Sequence, residues 1–161
     1  MIAVDVTLVI LFILAALYSG GMTAIAQLRA RGPRTAARTG AVTAVVVAAS
    51  LFLMVLLAHV TVPLAVVGAG VFSAAATYWT LAADLGRARA TATAIGMGIL
   101  IALCFLGVAH LAVLALIGAA GVYQVIRLFL RTRPALLVMG GTFGGLLAAS
   151  VAVFVVALAT M

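Results

Sequence analysis

The sequence predicts an all-α, polytopic membrane protein of six transmembrane helices, arranged as repeated two-helix hairpins. Three observations carry that expectation. Of the 161 residues, 68% are hydrophobic and only 7% are charged, whereas a soluble domain carries about a quarter charged residues. Lipid is therefore the expected solvent and the expected partner. The apolar stretches have lengths near one or two bilayer crossings. All the basic residues are arginines, and they fall in three short clusters between those stretches.

A crossing helix needs roughly 20 apolar residues. Residues 6–27 supply the first. Residues 40–82 carry no Asp, Glu, Lys or Arg, and at about 1.5 Å per residue one helix of that length overshoots the bilayer twofold. The chain must turn back, and His59-Val60-Thr61-Val62-Pro63 is the expected turn, because proline suits a first helical position. This gives spans 40–59 and 63–83. Residues 90–126 are just long enough for two short spans, 90–107 and 110–128, with a turn near Gly107 to His110. Residues 135–160 follow Arg133-Pro134 and make the last span. The whole of 1–161 reads as a single transmembrane domain.

The arginines orient the chain. Arg29, Arg31, Arg34 and Arg38 lie between spans 1 and 2, Arg87 and Arg89 between 3 and 4, and Arg127, Arg131 and Arg133 between 5 and 6. Short arginine-rich loops stay cytoplasmic, so the expectation is a multi-pass protein of the cell membrane with these loops inside and both termini outside. Asp5 then lies outside and Asp84 inside. A net charge of +7 could suit nucleic acid, but the charges punctuate apolar spans instead of forming one continuous stripe. No nucleic-acid partner is expected.

The hairpin repeat is read from an offset of 51. Ala58-His59-Val60-Thr61-Val62 parallels Ala109-His110-Leu111-Ala112-Val113, and Ala69-Gly70-Val71-Phe72 parallels Ala120-Gly121-Val122-Tyr123. Arg38 and Arg89 stand at equal spacing before the two histidines. The third unit fits this register poorly.

His59 and His110 are candidate metal ligands, because imidazoles on neighbouring helices at equal depth can clamp haem iron, as in a haem b site. The competing role is that of amphipathic residues at the membrane interface. Tyr78 and Asp84 are candidate substrate-binding residues, since an ionisable group in a span marks function by default. Asp84 is expected to pair with Arg87 or Arg89, the first of which shares its face on a continuous helix. Cys104 has no second cysteine to join and reads as a small core residue.

Gly140 with Gly144, and Gly141 with Gly145, form overlapping GxxxG pairs that suit close helix packing, within the chain or in a homo-oligomer. Hydroxyls of Thr43, Ser50, Ser73, Thr77, Thr91 and Ser150 are expected to bond their own helix backbones. Asp84, Ala88, Arg89 and Gly98 match the spacing of part of the motif of CDP-alcohol phosphotransferases. Leu85 departs from that motif's glycine, and Ala102 and Leu106 stand in the places of its later aspartates, the acids that would hold divalent metal. The chain has no lysine, no glutamate and no paired carboxylate.

Two functional expectations result. The first is a small non-enzymatic membrane protein for transport or permeation of a small solute, without a cofactor. The alternative is an anchor or accessory subunit of a larger, respiratory-type complex, holding haem through His59 and His110.

Overall fold

A computed structural model describes residues 6–108 and 110–160, without the side chains at 29, 30, 106, 107, 157 and 158. Asp5 lies outside the described residues. Six helices follow one another and no strand occurs among the described residues: α1 Val6–Arg31, α2 Pro33–Val60, α3 Val62–Leu85, α4 Arg87–Val108, α5 His110–Ile126 and α6 Thr132–Ala159. Five of them, all but α5, are long and apolar enough to cross a membrane.

The helices start and stop where local chemistry requires. Gly32 separates α1 from α2 at φ 78° and ψ 166°, a backbone region open almost only to glycine, and Pro33 then opens α2. Gly86 repeats this geometry between α3 and α4, at φ 75° and ψ 162°. Thr61 is extended and caps α3, its hydroxyl accepting from the Leu64 amide at 3.4 Å. Helix α2 begins at Pro33, earlier than position 40, because nothing in the arginine-bearing segment breaks a helix once Pro33 has set its first turn.

Helices α1 and α2 form one antiparallel hairpin, and α3 and α4 form another; within each, the two helices meet along most of their length. Glycines decide how closely they approach. A Cβ built on Gly40 would stand 2.6 Å from the Gly20 carbonyl oxygen, and one on Gly20 would stand 2.7 Å from that of Gly40. In the second hairpin Gly98 faces the Gly70 carbonyl oxygen at 2.8 Å, and Gly70 faces that of Gly98 at 3.1 Å. In each case an alanine one turn further on covers the opposing glycine: Ala24 and Ala44 in the first hairpin, Ala74 and Ala102 in the second. Such small-residue crossings replace hydrophobic drive, which is lacking between helices in lipid, by backbone van der Waals contact.

Helix α5 is the centre. Ala112, Val113, Leu116, Ala119 and Tyr123 are all essentially inaccessible, and the helix packs on α1, α3, α4 and α6. Its 17 residues span only about 26 Å at 1.5 Å per residue. Large apolar side chains cover the outside instead, including Val45, Trp79, Leu103 and Leu137.

Contacts between hairpins fix which ends coincide. Tyr18 OH donates to the Gly118 carbonyl at 3.1 Å, and Thr23 Oγ1 donates to Gln124 Oε1 at 2.9 Å, so α1 and α5 run parallel. Arg127, just past α5, bonds Asp84 at the end of α3. All three arginine-bearing turns therefore lie at one end of the bundle.

Candidate functional site

A cavity of about 630 Å³ is walled by α1, α2, α3 and α5. It exists because the two glycine-tight hairpins do not close fully on each other: α2 meets α3 far less extensively than either meets its own hairpin partner. The volume falls within the range of small-molecule pockets, roughly 300–1,000 Å³. Its mouth lies between α2 and α3, where the lining side chains Val42, Val46, Leu53, Val71 and Trp79 are exposed. In a bilayer that mouth faces lipid, not water.

The lining is apolar with a few hydrogen-bonding groups: Ser19, Thr23, Thr43, Ser50, Thr80 and Gln124. Among the described residues no charged side chain lines it. The polar groups are unevenly placed. Thr23 lies toward the Arg31 end of α1, Thr43 toward the Pro33 end of α2, Thr80 near the end of α3 and Gln124 near the end of α5. All four are therefore in the half of the cavity nearer the arginine turns. Leu53, Met54, Leu57 and Gly68 line the opposite half.

Most of the hydroxyls are already partly engaged. Thr43 Oγ1 donates to the Thr39 carbonyl at 2.9 Å, Thr80 Oγ1 to that of Ala76 at 2.8 Å, and Ser19 Oγ to that of Ala16 at 3.0 Å. The Gln124 carboxamide accepts from Thr23 through its oxygen, and its nitrogen has no partner among the described residues. Gly121 shapes the inner wall, because the Tyr18 ring lies 2.6 Å from where a Cβ would stand.

A second polar constellation lies at the arginine end. Arg127 Nη2 donates to Asp84 Oδ1 at 2.9 Å, and Tyr123 OH donates to Asp84 Oδ2 at 2.6 Å. The hydrogen bond to Asp84 holds the Arg127 guanidinium above its ordinary pKa. The expected partners Arg87 and Arg89 are not those used. Gly86 ends α3 and reverses the chain, so Arg87 belongs to α4 and the same-face argument, which needs one continuous helix, does not apply.

The sequence-derived residues separate. Neither Tyr78 nor Asp84 lines the cavity; Tyr78 is half-buried against the core. His59 is exposed in the last turn of α2, with Nδ1 2.7 Å from the Val55 carbonyl oxygen. His110 opens α5 and packs between the rings of Phe12 and Phe105, at centroid distances of 5.8 and 5.2 Å, and its buried Nε2 has no partner among the described residues. One histidine thus ends a helix before its turn and the other begins a helix after it, so the offset of 51 does not place them at equivalent structural positions. Among the described residues no three His, Cys, Asp or Glu side chains gather as a metal site.

A Cβ on Gly140, Gly141, Gly144 or Gly145 would meet nothing within 4 Å, so close approach of one helix backbone to another falls, among the described residues, to Gly20, Gly40, Gly70 and Gly98. Thr43, Thr91 and Ser150 bond their own helix backbones as expected. Ser73 and Thr77 do not: they are buried on α3, and their hydroxyls have no partner among the described residues. Cys104 is half-buried with a free thiol.

Sequence reasoning missed Gln124 and Thr23. A glutamine in so apolar a segment was the available signal, because a carboxamide in lipid needs a partner. No protein-family model matches the chain, and no curated protein or solved structure matches it.

Proposed function

We propose that this is a small, non-enzymatic membrane protein that mediates permeation of a small solute through the space between its hairpins. The observation that supports the reading is the cavity of about 630 Å³ walled by four helices and lined by uncharged hydrogen-bonding groups. Pockets of this size between helices are ordinary ligand sites.

The same reading puts the arginine turns in the cytoplasm and both termini outside. It takes α1–α2 and α3–α4 as two copies of one hairpin, each reversing at a glycine and closing on a glycine–alanine crossing. Internal repeats are common in transporters. The open glycine face of α6 is the surface for self-association.

Efflux from proteoliposomes, screened over neutral and charged small solutes, tests the proposal. Faster efflux of some neutral solutes than from protein-free liposomes supports it; no acceleration for any solute removes it. A second reading, an anchor subunit holding haem b through His59 and His110, draws on the buried, unpartnered Nε2 of His110. A Soret band in the purified protein that His110→Ala abolishes would favour it.

A further inference from the structure

We infer that the cavity takes a neutral amphiphile, a single apolar chain with a hydroxyl-bearing head, which enters sideways from the bilayer between α2 and α3. The inference rests on the permeation reading and names its substrate class.

Entry from the side follows from the position of the mouth. The exposed residues at its edge, Val46 and Leu53 on α2 and Val71 and Trp79 on α3, are large and apolar. A hydrated solute would have to shed its water into hydrocarbon to pass them, whereas a molecule already dissolved in the bilayer would not. Trp79, at 84% exposure, stands near the end of α3, where an indole suits the headgroup boundary.

Orientation follows from the uneven lining. Four of the six hydrogen-bonding groups, Thr23, Thr43, Thr80 and Gln124, occupy the half nearer the arginine turns, Ser19 and Ser50 lie near mid-helix, and leucine and methionine line the other half. A head bound there would place its chain toward Leu53, Met54 and Leu57. The hydroxyls of Thr43 and Thr80 are committed as donors to backbone carbonyls, so they can only accept from the ligand. The Gln124 amide nitrogen is the complementary unpaired donor. A hydroxyl both donates and accepts, and it satisfies both kinds of partner. A charged head would be buried beside no countercharge, which is costly in so apolar a space.

The test is photolabelling of the full chain in lipid nanodiscs with an alkyl glucoside carrying a diazirine in its chain. Adducts mapped by mass spectrometry are expected on Val42–Leu57 of α2 and Gly68–Thr80 of α3. Unlabelled alkyl glucoside should suppress them, and an alkyl phosphate of equal chain length should not. Gln124→Leu should weaken labelling about five- to tenfold, the loss of one hydrogen bond. Ala76→Phe should fill the cavity, and Val46→Trp, at the exposed mouth where folding is not at stake, should narrow the entrance; each should reduce labelling. The inference is overturned by adducts equally dense on α6, by labelling that none of the three variants changes, or by equal competition from the alkyl phosphate. It is also overturned if Val46→Cys cross-links two copies of the chain through this face in high yield, since a second copy would then fill the space. Labelling of the cavity without flux in proteoliposomes keeps the site and removes the permeation reading; flux of solutes without labelling does the reverse.

Discussion

Arg127 Nη2 lies 2.9 Å from Asp84 Oδ1, joining the end of α3 to the end of the central helix. Tyr123 holds the other carboxylate oxygen. The two donors are not equivalent, because Tyr123 is buried and Arg127 is about a third exposed. Asp84→Ala strands the Tyr123 hydroxyl as well as the guanidinium, whereas Arg127→Ala leaves Asp84 still bonded to Tyr123. Thermal unfolding in detergent should show Asp84→Ala destabilised by about 1–3 kcal/mol, the range for charge-assisted bonds and stranded polar groups. Arg127→Ala should cost about 1 kcal/mol or less, since solvent screens the exposed partner. Equal losses in the two variants would contradict this ordering.

The glycine crossings give a sharper contrast. Gly40→Val drives a branched side chain into the Gly20 backbone, and the usual cost of overpacking, about 1–3 kcal/mol, is the expected minimum. Gly144→Ala meets open space and should be neutral, or stabilising by up to about 1 kcal/mol through helix propensity. Both are read from unfolding of the monomeric protein. A Gly144→Ala loss as large as that of Gly40→Val would show that the α6 face is packed.

The two hairpin turns should each tolerate only glycine. Gly32→Ala and Gly86→Ala force an L-residue into backbone held at φ 78° and 75°, at a cost of about 1–3 kcal/mol each. The space around both is open, so strain alone sets the loss. D-alanine introduced chemically at either position should restore stability, and failure to do so would locate the cost elsewhere.

Thr77 offers the opposite sign. Its buried hydroxyl has no partner among the described residues, so Thr77→Val removes an unsatisfied group at nearly constant shape. Unfolding should show a stability unchanged or raised by about 1 kcal/mol. A clear loss would mean that the hydroxyl is bonded in the folded protein.

The helices are legible in the sequence because apolar length, proline and arginine position are one-dimensional signals. Helix α2 gives way to α3 at Thr61, inside the expected turn 59–63, and α4 ends and α5 begins within the expected 107–110. What is not legible depends on which helix faces meet. Two overlapping GxxxG pairs on α6 stand out as a pattern, yet the tight contacts use single glycines followed by alanine: Gly20 and Ala24, Gly40 and Ala44, Gly70 and Ala74, Gly98 and Ala102. In a chain this rich in glycine and alanine such pairs carry no contrast. Spacing along the chain pairs Asp84 with its nearest arginines and says nothing about Arg127, brought in by α5. The cavity groups Thr23 and Gln124 lie on different helices and meet only through the α1–α5 packing.

The most direct measurement of the permeation account is the transbilayer movement of a fluorescent alkyl glucoside in proteoliposomes, read by quenching the outer leaflet. Wild-type protein should move the inner-leaflet pool faster than protein-free liposomes do, and Ala76→Phe should return the rate to the protein-free value. Equal rates with and without wild-type protein, or a rate that Ala76→Phe leaves unchanged, would contradict permeation through the space between the hairpins.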